Sequence, residues 1–163
     1  MVAAFGSNKS EENSNGSVHS QQLLELTASK IAPLLRSGEV SVVNYASVLL
    51  KQTAKHSSNL HAFITVDHEA VMAAARAADA RCKQAEPLGS LFGIPISLKG
   101  LIITAGTTTT FGTEKFSNFV PASNASLVDR LLAEDAIIFG KNNLQLNPYD
   151  KTRIAGGAAA LAR

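Results

Sequence analysis

Cysteine is almost missing from this chain of 163 residues, in which Cys82 is the only one. An internal disulfide and a thiolate metal site are therefore both excluded, and the cysteine usage does not point to an oxidising compartment. No two histidines have the spacing of metal ligands, because His19, His56, His61 and His68 fall in the amino-terminal region or at expected caps and loops. The sequence predicts neither a metal nor a cofactor.

Long apolar runs and a charge excess are missing as well. No run approaches the ~20 residues that a transmembrane helix needs, and the amino terminus lacks an apolar secretory region. The formal net charge of +2 gives no electrostatic case for binding nucleic acid or an anionic membrane. Gly156 and Gly157 are adjacent, but neither common glycine-rich phosphate-binding pattern is present. We therefore expect a cytoplasmic protein with no nucleic-acid or membrane partner.

The residues that are present have the composition of a globular protein. Hydrophobic residues make up 45% of the chain and charged residues 17%, and the length suits a single domain. Residues 1–20 differ, since they are rich in Ser, Asn, Gly, Lys and Glu and cannot bury enough apolar surface to offset their ordering entropy. We predict a disordered tail over residues 1–20 and an ordered domain over residues 21–163.

Capping residues and apolar spacing predict alternating helices and strands. The predicted N-caps of four helices are Thr27, Ser41, Asp67 and Asn124, and the predicted left-handed end of the first helix is Gly38. Strands are predicted over residues 62–66, 92–99 and 136–140 from their β-branched and aromatic content. Arg76 and Asp79 are expected to pair on the outer side of the third helix. The order of the later elements predicts two parallel strands joined by a crossover in an α/β fold.

The centre of the chain is the stretch 87–106, PLGSLFGIPISLKGLIITAG. Gly93 allows a bend, and the apolar residues from Ile94 to Leu98 predict a central buried strand. Lys99 then stands at the end of this strand. A lysine in that position either extends its ammonium group to solvent or is presented to a cleft at the carboxyl edge of the sheet.

Four short segments and Lys99 together resemble the amidase signature family of amide hydrolases. The segments are GIP at residues 93–95, TAG at 104–106, FVP at 119–121 and IFGKNN at 138–143. No single segment is specific, but their order and spacing are, and the resemblance runs from Leu26 to Arg163. It implies the amino-terminal portion of the amidase-signature fold, in which a few strands of a mixed sheet are covered by helices.

The resemblance also implies a mechanism. In this family a neutral lysine takes a proton through a bridging serine from a second serine, which attacks the amide carbonyl, while a glycine- and serine-rich loop stabilises the oxyanion. Lys99 corresponds to the catalytic lysine. Gly156 and Gly157 stand where the loop is expected, but the residues after them are AAALAR, so the bridging serine is missing. The 163 residues end before the segment in which the family carries its nucleophilic serine.

Two further departures from the family pattern concern single residues. Gly100 occupies the position after the lysine, where the family usually has aspartate. Asp135 replaces a glycine that is common at the end of the preceding helix, and this substitution costs stability if the position is left-handed.

Two hypotheses from different classes therefore remain. The first is a hydrolase acting on a small-molecule carboxylic amide, close to mandelamide or arylacetamide hydrolases on the pattern NPYDKTR at residues 147–153. The second is a truncated, catalytically inactive remnant that self-associates or binds a partner through exposed apolar faces. Those faces are expected at Val42, Tyr45 and Leu49 and at Leu127, Leu131 and Leu132. The absence of both triad serines favours the second hypothesis for this chain.

Overall fold

The computed structural model describes residues 21–84 and 87–144. The elements in chain order are α1 (Ala28–Ser37), α2 (Val42–Leu60), β1 (Phe63–Thr65), α3 (His68–Lys83), β2 (Pro95–Lys99), a 3₁₀ turn (Glu114–Phe116), α4 (Ser126–Ala133) and β3 (Ile137–Asn142). The predicted α/β class is confirmed. The predicted tail at 1–20, the segment 147–153, Gly156 and Gly157 lie outside the described residues.

The three strands of this described part form one mixed sheet in the order β1-β3-β2. β2 and β3 are parallel, as predicted, with Lys99 opposite Asn142, and β1 runs antiparallel to β3. The expectation that the strand from Ile94 to Leu98 is central is wrong. β3 lies between the other two strands and is the more buried, whereas β2 is at an edge where Ser97 and Lys99 are exposed.

Local capping chemistry determines where the first three helices begin and end. The Ser41 side chain accepts a hydrogen bond from the backbone N–H of Asn44 at 3.0 Å, and Asp67 accepts one from Ala70 at 2.9 Å. Gly38 ends α1 in the left-handed conformation with φ of 74°. These predicted caps are confirmed because each depends on residues close together in the chain.

The caps predicted for the first and fourth helices differ from the structure. Thr27 lies at the N-cap position of α1, but its side chain makes no hydrogen bond to the helix backbone. The N-cap of α4 is Ala125 rather than Asn124. Asn124 instead accepts from the backbone N–H of Ala105 at 2.7 Å and donates to Asp129 at 2.9 Å. Its amide thus holds the loop after β2 against α4.

The predicted Arg76–Asp79 pair is also wrong. The two carboxylate oxygens of Asp79 accept from the backbone N–H groups of Val42 and Val43, at 2.7 and 3.1 Å. Arg76 pairs with Glu69 at 2.7 Å. The amino-terminal N–H groups of a helix have no partner inside it, so those of α2 hold the Asp79 carboxylate more effectively than an exposed guanidinium would.

The hydrophobic core joins α1, α2 and α3 to the sheet. Its buried members include Ile31, Leu35, Val42, Tyr45, Ala46, Val71, Ala75, Phe92, Ile94, Ile137 and Phe139. The prediction that the α2 face is exposed is wrong, because α3 packs against α2 and both Val42 and Tyr45 are buried. The α4 face is open as predicted, since Leu127 is 50% exposed and Leu132 is 44% exposed.

Asp135, in the turn between α4 and β3, has a strained backbone conformation and a carboxylate that makes two polar contacts. Asp135 has a φ of 63°, the left-handed conformation that its replacement of glycine makes costly. One carboxylate oxygen accepts from the guanidinium of Arg81 in α3, and the other accepts from the backbone N–H of Gly89 at 2.6 Å. The hydrogen bond from Arg81 lowers the pKa of the Asp135 carboxyl. The side chain therefore links α3, the turn before β2, and β3.

We expect Asp135→Gly to destabilise the protein even though glycine removes the backbone strain. The variant loses both partners of the carboxylate, and we expect the free energy of unfolding to fall by roughly 1–3 kcal/mol. Urea denaturation at pH 7 would measure this change, with the exposed Glu39→Gln as a control. A variant as stable as the unsubstituted chain would show that strain outweighs these bonds.

The lowered pKa of the Asp135 carboxyl predicts that the free energy of unfolding depends on pH in the acid range. Because the pKa of Asp135 is lowered on folding, its contribution is present above the unfolded pKa of about 4 and is lost as the pH falls through the folded value. Asp135→Asn cannot titrate at this position. We expect its stability to fall less than that of the unsubstituted chain below pH ~4, in the same urea measurements. The same decrease in stability with falling pH in both proteins would show that Asp135 does not cause it.

Candidate functional site

The predicted catalytic lysine lies at the carboxyl end of β2. The turn that follows is closed by two backbone hydrogen bonds, from Ile102 N–H to the Lys99 carbonyl at 2.9 Å and from Gly100 N–H to the Asn142 carbonyl at 3.0 Å. The Lys99 side chain is exposed and has no hydrogen-bond or ion-pair partner within residues 21–84 and 87–144. Exposure at the carboxyl edge of the sheet is compatible with both alternatives considered from sequence, and the catalytic role of Lys99 stays a prediction.

The residue after this lysine has no room for a side chain. A Cβ atom at Gly100 would overlap the Leu144 side chain and would lie 2.9 Å from the Asn142 carbonyl oxygen. The Asn142 carbonyl oxygen belongs to the backbone of β3, so it cannot move aside as readily as the end of the Leu144 side chain. The departure from the family pattern at Gly100 is therefore matched by the packing around it.

A second lysine is the unusual one, and the sequence interpretation gave it no role. Lys141 in β3 is completely buried. Its ammonium group donates to the hydroxyl of Thr104 at 2.9 Å and to the carbonyl of Ile102. Removal from water lowers the pKa of Lys141 to about 8. The available signal was a charged residue inside the apolar strand segment IFGKNN.

The register of the sheet separates the two lysines. Lys141 is opposite Leu98, whereas Lys99 is opposite Asn142. Side chains of successive strand residues point to opposite faces, so the two lysine side chains leave opposite faces of the β2–β3 pair. One lysine is therefore solvated while the other is enclosed.

A cavity of about 350 Å³ lies beside the partner of the buried lysine. Its polar lining consists of Thr65, Asp67, Thr104, Thr107 and Asn124, and α4 and β3 supply most of its apolar wall. Asp67 is engaged as the cap of α3, and Asn124 is engaged with Ala105 and Asp129. Thr104 is thus the lining residue that contacts Lys141.

Neither a metal cluster nor a membrane span occurs in the described ranges. In residues 21–84 and 87–144, no group of three or more His, Cys, Asp or Glu side chains could hold a metal ion. None of the helices in the same ranges is long and apolar enough to cross a membrane.

A mixed α/β sheet with a lysine at the carboxyl end of a parallel strand fits the class of amide-bond hydrolases suggested by the sequence. Residues 45–146 match the protein-family model described as Amidase. The chain belongs to the amidase family, and its resemblance to the amidase signature enzymes is confirmed.

Relatives and solved structures agree with this assignment. A glutamyl-tRNA(Gln) amidotransferase subunit from Streptomyces coelicolor is 34% identical over 152 residues, which are 83% of this chain and 31% of that protein. The corresponding protein of Desulforapulum autotrophicum is 42% identical over 154 residues, covering 85% of this chain and 31% of that protein. The peptide amidase of Stenotrophomonas maltophilia is 26% identical with a TM-score of 0.70, over 75% of this chain and 25% of that one. The chain thus spans about a third of the length of these curated relatives. The narrower similarity to mandelamide or arylacetamide hydrolases stays a prediction.

The buried lysine predicts an unusual dependence of stability on alkaline pH. Because the pKa of Lys141 is lowered on folding, the unfolded chain binds more protons between pH 8 and 10.5, and stability should rise with pH in this window. The rise is at most about 3.5 kcal/mol, at about 1.4 kcal/mol for each pKa unit. Urea denaturation at several pH values should show the rise for the unsubstituted chain and for Lys99→Met, and its loss in Lys141→Met. Equal slopes in all three proteins would refute the prediction.

Proposed function

We propose that residues 21–144 form the lysine-bearing part of an amidase active site and that Lys99 is its general base. The observation that supports this is the position of Lys99 at the carboxyl end of a strand with a parallel neighbour, the edge at which α/β sheets bind ligands. The chemistry is hydrolysis of the carbon–nitrogen bond of a carboxylic amide to an acid and ammonia or an amine. The substrate is a small-molecule amide.

We propose further that the polypeptide of residues 1–163 is inactive by itself. Lys99 is exposed, and no hydroxyl in the described part of the chain contacts it. After Gly156 and Gly157 the chain reads AAALAR, which lacks the bridging serine of the family's loop. This is the second of the two sequence hypotheses.

We propose that the open α4 face binds a second copy of the chain. Leu127 and Leu132 on α4 and Phe119 and Val120 before it are between 40% and 52% exposed. Exposed large apolar side chains lose contact with water when a second chain covers them, which favours association. The relatives named as parts of an amidotransferase are consistent with a protein that works in an assembly.

The catalytic proposal predicts an inactive protein. The purified chain should not release ammonia or amine from simple aryl or alkyl amides above a blank, and Lys99→Ala should give the same result. Both lack the bridging serine that would relay a proton to residue 99, and the members of such a unit act together. The peptide amidase of Stenotrophomonas maltophilia would serve as the positive control of the assay. Hydrolysis that disappeared in Lys99→Ala would overturn the claim of inactivity and would establish Lys99 as catalytic.

The association proposal predicts a concentration-dependent sedimentation coefficient. The double variant Leu127→Glu with Leu132→Glu should shift the protein to a monomer, because two buried carboxylates at the interface would be costly. Ser126→Glu is the matched control, since it adds a charge to the same helix at an exposed polar position. A monomer at all concentrations for the unsubstituted chain would rule the interface out.

A further inference from the structure

Thr104 stands between the buried lysine and the cavity. Its hydroxyl is 2.9 Å from the Lys141 ammonium nitrogen, and the residue is only 4% exposed. It also lines the 350 Å³ cavity, together with Thr107 and Asn124. A hydroxyl that contacts an amine, on a residue that lines a cavity, has the components of a nucleophile and its base.

We propose that Thr104 is a nucleophile activated by Lys141, which accepts the acyl or phosphoryl group of a small activated electrophile entering this cavity. The site is separate from that of Lys99, whose side chain leaves the opposite face of the sheet. The two proposals can therefore be tested separately.

The surroundings of Lys141 suit a general base. A lysine accepts a proton only when neutral, and burial without a nearby anion favours that form. In the described part of the chain, the charged side chains on neighbouring elements do not contact Lys141. Asp67 caps α3, Asp129 accepts from Asn124, and Lys99 is on the other face of the sheet. Desolvation lowers the pKa of Lys141 to about 8. About a tenth of the molecules then carry the neutral amine at pH 7.

The hydrogen bonds of Thr104 and Lys141 in the structure show which bond must change before the hydroxyl can react. The Thr104 hydroxyl donates to the Ile102 carbonyl at 3.1 Å, and the Lys141 ammonium group donates to the same carbonyl and to Thr104. When the amine is neutral, rotation of the hydroxyl turns its proton toward the amine nitrogen. Attack on a phosphoryl fluoride forms the bond from Thr104 oxygen to phosphorus, breaks the phosphorus–fluorine bond, releases fluoride and transfers the proton to Lys141.

Diisopropyl fluorophosphate is the probe, because it phosphorylates activated hydroxyls and is small enough for the cavity. The unsubstituted chain should gain one adduct, located on Thr104 by peptide mass spectrometry, at a rate that rises with pH to a plateau with a midpoint near 8. Lys141→Met should reduce the rate by about a hundredfold, as expected for loss of a general base. Lys51→Met is the matched control, because it removes an exposed lysine on α2 that does not line the cavity, and it should label at the unsubstituted rate.

Two variants at Thr104 complete the test. Thr104→Ser keeps the hydroxyl and should label at least as fast as the unsubstituted chain, whereas Thr104→Val should not label. Circular dichroism before labelling identifies any variant that fails to fold. The pH profile of labelling in the unsubstituted chain tests the proposal without any variant. No adduct, an adduct on another residue, a flat pH profile, or an unchanged rate in folded Lys141→Met would each overturn the proposal.

Discussion

The pairing of β2 with β3 depends on the turn formed by Glu134 and Asp135, through its backbone carbonyls and the Asp135 carboxylate. The backbone carbonyls of Glu134 and Asp135 accept from Leu91 and Gly93, at 2.9 and 3.0 Å, while the Asp135 carboxylate holds Gly89 and the α3 arginine. These bonds hold the segment before β2 beside the turn before β3. The contact is so close that a Cβ at Gly89 would lie 2.7 Å from the Glu134 Cα. A strained aspartate therefore contributes to topology through its side chain, which glycine could not do.

The parallel register that results decides the chemistry available to each lysine. One residue of displacement along β3 would exchange the faces of Lys141 and Asn142, and would move an ammonium group from a closed environment to solvent. Burial costs the folded protein stability, yet it is also what gives Lys141 a lowered pKa. Lys99 lies exposed at the carboxyl end of a parallel strand, whereas Lys141 is buried in the neighbouring strand.

Much of the fold and part of the site could be predicted from the sequence. The caps at Ser41 and Asp67 and the end of α1 at Gly38 were predictable because their partners are within four residues. The parallel strand pair and the family followed from the order of apolar segments. The partners of Asp79 and Asn124 were not predictable, since their hydrogen bonds join residues 37 and 19 positions apart. The same holds for Lys141, whose burial depends on the loop that folds over it rather than on its neighbours in β3.

The tight packing at Gly100 has a consequence for the order in which substitutions can occur. A change from glycine to aspartate there would meet the buried Leu144 side chain at less than van der Waals distance. A smaller residue at position 144 would relieve that contact, but the Asn142 carbonyl oxygen would still lie 2.9 Å from the new Cβ. The effects of substitutions at positions 100 and 144 are therefore not expected to be additive, and the backbone of β3 limits what position 100 can accept.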